Sequence, residues 1–231
     1  DTQVHLREPG AEHKENLEAG GRAAVLGGVT AVFEMPNTKP PTSDAPALAE
    51  KVRRASNRMQ CDFAFYAGAT TENADILGDL ERETGCCGVK IFMGSSTGNL
   101  LVPDDDHVRA VLRNVSRRVA VHSEDEYRLR ERRELAETGN VLTHPVWRDE
   151  ETAIRCTNRL LRLAREEGKR IHVLHVTTAD EMDILAANKD IATVEATPQH
   201  LTLAAPDCYE EMGTRAQMNP PIRDARHRAG L

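Results

Sequence analysis

The sequence has few aromatic residues, no CxxC pair, no long apolar run and no excess of positive charge. Aromatic residues make up 3% of the 231 residues, so the core must consist mainly of Ala, Val, Leu and Ile. The formal net charge of -7 argues against a general nucleic-acid-binding protein, which usually carries a basic face. No stretch approaches the roughly 20 apolar residues needed to cross a membrane, and the residues from Asp1 onward do not have the charged-then-apolar pattern of a leader. We therefore expect neither a membrane span nor a leader.

The cysteines are odd in number and irregularly spaced. They are Cys61, Cys86, Cys87, Cys156 and Cys208. This usage predicts free thiols and a cytoplasmic location, not a disulfide framework. The adjacent pair Cys86 and Cys87 is interpreted as two small residues at the start of a buried strand, in preference to a redox site.

Apolar segments alternate with helical segments along the whole chain. About seven strands are predicted, at residues 1–6, 29–35, 61–67, 88–93, 118–122, 170–176 and 191–196. Helical spacing occurs between them, at residues 73–82, 104–115, 150–167 and 179–187, and Ser43 is predicted to cap a further helix. Nearly continuous apolar strands that alternate with helices predict a parallel sheet covered by helices.

Polar residues at the strand ends favour a (β/α)8 barrel over an open doubly wound sheet. Five such residues are His5, Asn37, Lys90, His122 and His175. A barrel brings the carboxyl ends of its strands into one ring, whereas an open sheet spreads them along a crevice. An eight-stranded barrel typically needs about 250 residues. We therefore expect residues 1–231 to form a partial barrel domain, cut at both ends, with the eighth strand beyond Leu231.

Four of these residues have the chemistry of metal ligands. Imidazole nitrogens bind zinc and similar ions, and His5, His122 and His175 each follow or end a predicted strand. Lys90 lies within the apolar strand GVKIFM, where burial favours the neutral amine. A neutral amine can take up carbon dioxide and become an anionic carbamate, which can bridge two metal ions. Read alone, each histidine could equally pack in the core, and Lys90 could pair with a carboxylate.

Three other residues could bind a small anionic substrate. Arg7 follows His5 on the same face of the first strand, Asn37 lies in the turn of MPNT, and Asn219 lies in the proline-stiffened loop MNPPIR. Each amide could belong to an ordinary turn. Together, one guanidinium and two amides suit a molecule that bears a carboxylate and a cyclic amide.

The order of these motifs resembles the signature blocks of the amidohydrolase superfamily, and within it the dihydroorotases. The blocks are DTQVHLREPG, EMPNT, GVKIFMGSSTGN, VHSEDE, HPVWRDEETA, VLHVTTADE and TPQHL followed by MNPPIRD. The resemblance implies a metal centre of one or two divalent ions bound by His5, a carboxylated Lys90, His122 and His175. Zinc is the expected ion, with manganese, cobalt and iron as alternatives. It also implies that Arg7, Asn37 and Asn219 bind the substrate.

Two departures from the family pattern limit what the resemblance implies. The family's first strand reads Asp-x-His-x-His-x-Arg, but Gln3 stands here in place of the first histidine. Because an amide oxygen is a weaker ligand, one ion should be held less tightly. The family's general acid and base is an aspartate after the eighth strand, which is expected beyond Leu231, so no catalytic residue is assigned.

The resemblance implies reversible hydrolysis of the cyclic amide of dihydroorotate to N-carbamoyl-aspartate, a step of pyrimidine biosynthesis. Two alternatives remain open: another cyclic amidohydrolase of the hydantoinase, dihydropyrimidinase or allantoinase type, and an inactive dihydroorotase-like partner protein with Gln3 as its mark. Arg7 and the REPG run favour the dihydroorotases. The expected partner is a small-molecule substrate, with no nucleic acid or membrane, and a homodimer or larger homo-oligomer is expected. Among the other histidines, His144 and His172 are interpreted as structural, His200 is left open, and His227 is predicted to be exposed.

Overall fold

The computed structural model describes residues 1–94 and 98–231. Within these ranges the chain alternates between parallel strands and helices, as the sequence pattern predicts. The strands are β1 (Ala31–Glu34), β2 (Asp62–Gly68), β3 (Cys86–Phe92), β4 (Val119–His122), β5 (Ile171–Val173) and β6 (Ala192–Val194). They follow one another in the sheet in chain order. The middle three residues of the predicted turn at residues 94–98 lie outside the described residues.

The registers of the sheet fit parallel strands joined by helical crossovers. Ala31 pairs with Asp62 in β1 and β2, and Ile171 pairs with Ala192 in β5 and β6. All four residues of β4 are buried, which is expected when helices cover both faces of a parallel sheet. β6 differs, because Val194 at its end is 38% exposed.

The helices of the described residues vary from one turn to almost five. They are α1 (Leu17–Leu26), α2 (Ala45–Ala55), α3 (Leu77–Leu80), α4 (Asp105–Asn114), α5 (Glu126–Glu131), α6 (His144–Trp147), α7 (Glu150–Glu166), α8 (Ala179–Ala186), α9 (Pro198–Thr202), α10 (Asp207–Met212) and α11 (Ala225–Gly230). Short 3₁₀ helices occur at Arg133–Thr138, Val141–Thr143 and Gly213–Ala216. None of the helices within the described residues is long and apolar enough to cross a membrane.

Side-chain caps explain where several helices begin. The carboxylate of Asp149 accepts a hydrogen bond from the backbone of Thr152 at the start of α7, and Thr178 caps α8 in the same way. For α2 the predicted cap was wrong by one residue, because Asp44, not Ser43, accepts from the backbone of Ala47. The predicted helix at residues 73–82 is also shorter than expected. Asn73 bonds the backbone of Thr70 and Gly68 instead, which holds an irregular loop before α3.

The first predicted strand forms only an isolated bridge. Val4 pairs in parallel with Glu34, and its backbone donates to Phe33 and accepts from Met35 at 3.0 and 2.9 Å. Residues 1–6 therefore lie along β1 as expected but do not extend into a strand. Six strands, not seven, are assigned among the described residues.

The chain divides into two compact units, each with an aliphatic core. The first comprises residues 1–91, 96–102 and 106–120, and the second comprises residues 92–95, 103–105 and 121–231. Val32, Phe65 and Ile91 are buried in the first unit, and Leu160 and Ile222 in the second. The five cysteines all lie in the described residues and are free thiols.

Candidate functional site

In the first unit, the extended segment beside β1 carries His5 near Arg7 and Asn37, two of the predicted substrate-binding residues. The side chain of Asn37 lies close enough to His5 to favour the protonated imidazole. Burial is the largest influence on His5, followed by the positive charges of Arg7 and Lys90, and together they lower its pKa to about 3. The imidazole is therefore neutral at physiological pH, which is the form that binds metal ions. Three residues predicted from the sequence, Arg7, Asn37 and Lys90, thus act on His5.

Lys90 lies in the interior of β3. The residue is 0% exposed. It pairs in register with Gly68 of β2, and its backbone carbonyl accepts a hydrogen bond from the Ala69 amide at 2.9 Å. The prediction that this lysine is buried within an apolar strand is confirmed. Its carboxylation stays a prediction.

A second buried lysine in the first unit was missed by the sequence interpretation. Lys51 of α2 is 1% exposed, and its Nζ lies 2.7 Å from Glu34 Oε2, which is equally buried. The same ammonium donates to the backbone carbonyl of Met35 at 3.1 Å. Burial raises the pKa of Glu34, while the charge of Lys51 opposes that rise. This ion pair lies beneath the segment that holds His5, since Glu34 also forms the bridge to Val4.

In the second unit, His122 and His175 face each other. His122 ends β4, and the backbone of Leu174 donates to Val121 at 3.1 Å, which aligns the two residues that follow. His122 Nδ1 lies 3.0 Å from His175 Nε2, the ring planes are 77° apart, and both residues are at least 95% buried. The sequence prediction that these two histidines converge is confirmed.

The backbone at two of the predicted site residues is strained. Within the described chain, the residues other than glycine with positive φ are Arg7 (62°), Asn57 (63°) and His175 (39°). For such residues this conformation costs on the order of 1–3 kcal/mol and is commonly retained at functional sites. Asparagine tolerates it well, so Arg7 and His175 are the informative cases.

Glu124 and Arg148 extend the histidine pair into a buried charged network. Glu124 Oε2 lies 2.7 Å from His122 Nε2, and the guanidinium of Arg148 donates to both oxygens of Glu124. Burial opposes ionisation of Glu124, but the charge of Arg148 and the bond to His122 hold its pKa well below the usual range. The sequence interpretation gave neither residue a role.

Arg223 links this network to the loop after β5. Its Nε donates to Thr177 Oγ1 at 3.1 Å, and another guanidinium nitrogen donates to the backbone carbonyl of Arg148. The same side chain lines a cavity of about 400 Å³ with Tyr209 and Asp149. Arg223 therefore supports the backbone on which Arg148 lies.

Asn219 is exposed, and its own side chain has no described hydrogen bond within residues 1–94 and 98–231. The loop around it is held by two histidines. His144 Nε2 lies 2.9 Å from the Met218 carbonyl, and His200 Nε2 lies 3.1 Å from the Pro220 carbonyl. Burial lowers the pKa of His200 to about 4. Both histidines therefore support the loop, and a role of Asn219 in binding stays a prediction.

Two further histidines make structural contacts in the second unit. His172 bonds Thr193 and Glu195 at 2.8 and 3.1 Å, as its position on the opposite face from His175 predicts. His227 was predicted to be exposed, which is wrong, since it is 1% exposed. His227, Glu150 and Asp224 each place a side-chain atom of a kind that can bind a metal ion within 4.8 Å of the others. However, Asp224 caps α11 and His227 Nδ1 accepts from the backbone of Ala179.

The donor atoms of both units are compatible with a divalent metal ion. Two nitrogens that bind one tetrahedral zinc ion at about 2.0–2.1 Å stand roughly 3.3–3.4 Å apart. His122 Nδ1 and His175 Nε2, at 3.0 Å, need to separate only slightly. In the first unit, Gln3 Oε1 is buried and accepts no hydrogen bond from the described residues. A buried carbonyl oxygen without a donor is costly, and a cation would satisfy it.

Comparisons with known proteins agree with this chemistry. The dihydro-orotase-like family matches residues 1–81. A dihydroorotase from Halobacterium salinarum is 33% identical over the whole chain and 54% of its own length. An allantoinase from Salmonella gallinarum is 32% identical, also over the whole chain and 54% of its own length. The solved structure of an L-hydantoinase from Arthrobacter aurescens superposes with a TM-score of 0.93 at 25% identity, covering all of this chain and 53% of that one.

The superposition on the L-hydantoinase structure, together with the alternation of parallel strands and helices, confirms the predicted fold class of an incomplete barrel. The chain is similar to the dihydro-orotase-like family over residues 1–81 and to a dihydroorotase over its whole length. The chain spans about half the length of the curated relatives that it matches.

Proposed function

We propose that the protein is a metal-dependent hydrolase of a cyclic amide and that it interconverts dihydroorotate and N-carbamoyl-aspartate. The observation that carries this proposal is the buried pair of imidazole nitrogens, His122 Nδ1 and His175 Nε2, 3.0 Å apart. Buried imidazoles that converge on one point are ligands of zinc and related ions. The similarity to a dihydroorotase over the whole chain supports the choice of substrate.

The proposed metal ligands are His5, Lys90, His122 and His175, with Lys90 carboxylated. A neutral His5, whose pKa is lowered to about 3 mainly by burial, supports its part in this set. The complete burial of Lys90 favours the neutral amine that reacts with carbon dioxide. Zinc is the proposed ion, because imidazole suits it and it is the commonest ion of such hydrolytic sites.

In this scheme the chain's own residues bind and orient the substrate. A divalent ion would supply an activated water and would polarise the scissile carbonyl. Arg7 would hold the substrate carboxylate through charge-assisted hydrogen bonds, while Asn37, which lies close to His5, would orient the amide edge of the substrate. Asn219 would contact the other side of the ring. Correct orientation of the carbonyl toward the water supplies much of the rate enhancement in such a reaction.

We expect Arg7→Gln to discriminate between the candidate substrates. Loss of a hydrogen bond to a charged group costs about 1.5–3 kcal/mol, so kcat/KM for dihydroorotate should fall about 10- to 100-fold. Hydrolysis of uncharged rings, such as hydantoin and dihydrouracil, should change little. The measurement is a steady-state panel of these substrates with the full-length protein.

The matched control for this panel is Arg22→Gln, because Arg22 lies on the exposed face of α1 and forms an exposed ion pair with Glu18. It should leave every substrate unchanged. A wild-type preference for an uncharged ring, or an equal loss on all rings in Arg7→Gln, would contradict the assignment of dihydroorotate and would favour the hydantoinase or allantoinase type.

Gln3→His is expected to tighten metal binding. The amide oxygen of Gln3 is a neutral, weak ligand, whereas imidazole is a strong one for zinc. The bound zinc per chain should rise, and the dissociation constant of the weaker ion should fall. Chelator competition and elemental analysis of the full-length protein measure both quantities. Unchanged stoichiometry and affinity would mean that residue 3 does not face the ion.

A cytoplasmic location and a homodimer or larger homo-oligomer complete the proposal. The free thiols support a reducing compartment. Light scattering of the full-length protein would measure the oligomeric state.

A further inference from the structure

We propose that Glu124 and Arg148 fix His122 in the tautomer whose Nε2 carries the proton, so that Nδ1 is the atom offered to the metal ion. This inference rests on the proposed metal-dependent function, but it concerns the protein's own hydrogen bonds. Glu124 and Arg148 are positioning residues, since neither would touch the substrate.

The first step of the argument is the direction of one hydrogen bond. Glu124 Oε2 lies 2.7 Å from His122 Nε2. The guanidinium of Arg148 donates to both oxygens of this carboxylate, and such a pairing belongs to an ionised carboxylate, which can only accept. His122 Nε2 must therefore be the donor. In a neutral imidazole the other nitrogen then keeps its lone pair, and Nδ1 is the atom that faces His175 Nε2 at 3.0 Å.

The second step is that Glu124 is held rigidly. Glu124 has 0% exposure and Arg148 has 1%, and the Arg148 guanidinium lies 5.0 Å over the Trp147 ring. The backbone carbonyl of Arg148 accepts a hydrogen bond from the Arg223 guanidinium. A Cβ on Gly94 would lie 2.4 Å from the Glu124 carbonyl oxygen, so this glycine leaves room for the backbone of Glu124. Because the Glu124 carboxylate is fixed in position, it sets the orientation of the His122 ring that donates to it.

The third step is the comparison with another buried carboxylate of the same unit. Glu181 is 2% exposed, but its oxygens accept from the hydroxyls of Thr157 and Thr178 at 2.7 and 2.8 Å. It binds neither histidine. A buried ion pair is weak evidence for stability, since apolar residues often replace one without loss. The difference between the two glutamates therefore lies in what each one orients.

The test combines metal affinity with the tautomer of His122 in the full-length protein. Glu124→Gln keeps the size of the side chain and removes its charge. Loss of a carboxylate that orients a metal-bound histidine typically costs 10- to 100-fold in affinity, so we expect the zinc dissociation constant to rise by about that factor. Glu181→Gln is the matched control and should leave the zinc dissociation constant unchanged, whatever it does to stability. Chelator competition measures both variants.

The tautomer is measured by ¹⁵N histidine NMR of the metal-free wild-type protein, with His122→Asn to assign the signals. We expect a protonated Nε2 and an unprotonated Nδ1 at His122. A proton on Nδ1, or zinc affinity in Glu124→Gln equal to wild type, would overturn the inference. Should Glu124→Gln fail to fold, the wild-type tautomer decides alone. Should the wild-type protein bind no zinc, the proposed function fails, while the tautomer of the metal-free protein still decides this inference.

Discussion

Replacement of Lys90 by alanine is expected to abolish the hydrolysis of dihydroorotate by the full-length protein. Lys90 is completely buried in β3, and alanine at this position has no amine that could carry the proposed carbamate oxygens. Removal of one electrostatic stabiliser from an active site typically lowers kcat by on the order of 10²–10³. Since loss of the ion would remove both water activation and carbonyl polarisation, we expect a fall of at least about 10³-fold. Steady-state kinetics with added zinc and bicarbonate measure it.

The second unit offers a matched pair of histidines as the control for this experiment. His175→Ala should cause a loss comparable to that of Lys90→Ala, together with loss of bound zinc. His172→Ala should keep both activity and zinc, because His172 bonds Thr193 and Glu195 instead of facing His122. Near-normal turnover in Lys90→Ala or His175→Ala would count against the proposed metal centre.

Replacement of Lys51 by methionine is expected to destabilise the first unit by about 3–5 kcal/mol, the usual cost of leaving one partner of a buried ion pair without the other. Lys51 Nζ lies 2.7 Å from Glu34 Oε2, and both side chains are 1% exposed. Methionine fills similar space, so the loss comes mainly from the buried carboxylate. Denaturant unfolding of the full-length protein, followed by a probe in the first unit, measures the change in the free energy of unfolding.

Two controls separate the charge effect from general damage. The double variant Glu34→Gln/Lys51→Met removes both charges and should recover much of the loss, as replaced buried ion pairs often do. Lys14→Met, at an exposed position, should change stability by no more than about 0.5 kcal/mol. If the double variant is as unstable as Lys51→Met, packing and not charge accounts for the effect.

The pH dependence of the free energy of unfolding of Lys51→Met gives a further test of the role of Glu34. Burial raises the pKa of Glu34 above its usual value, so the folded state binds a proton more readily than the unfolded state. The contribution of Glu34 to stability is then greatest at low pH and falls as pH rises through its folded pKa. Without Lys51 to oppose it, this effect should grow, and the deficit of the variant should be smaller near pH 5 than near pH 8.

The residues at the strand ends could be predicted because period and chemistry coincide there. His122 ends β4 and His175 lies two residues past the end of β5. Parallel strands place such ends side by side, so the convergence of the two histidines at 3.0 Å follows from the pattern. The alternation of side chains along a strand likewise predicted that His172 and His175 lie on opposite faces. Residues 1–6 differ from the prediction because they form an isolated bridge at Val4 and hydrogen bonds from Asp1 to Ala31 and from Phe33 to Asp1, but no continuous strand.

The supporting charges could not be predicted in the same way. Arg148 lies in the block HPVWRDEETA, 24 residues from Glu124, and no local period links the two. Lys51 did leave a signal, since Leu48, Lys51 and Ala55 are the buried residues of α2 and have helical spacing. Lysine at such a position is usually exposed, so the apolar pattern alone assigns it to the surface. Its partner Glu34, on another element, makes its burial tolerable.

The most direct test of the proposed metal-dependent hydrolase is a metal-edge diffraction map of the full-length protein, crystallised with zinc and bicarbonate. We expect an anomalous peak bonded to His122 Nδ1 and His175 Nε2, with carboxylate density on Lys90 Nζ. A map with no anomalous peak at these histidines and an unmodified Lys90 would contradict the account and would favour an inactive, dihydroorotase-like partner protein.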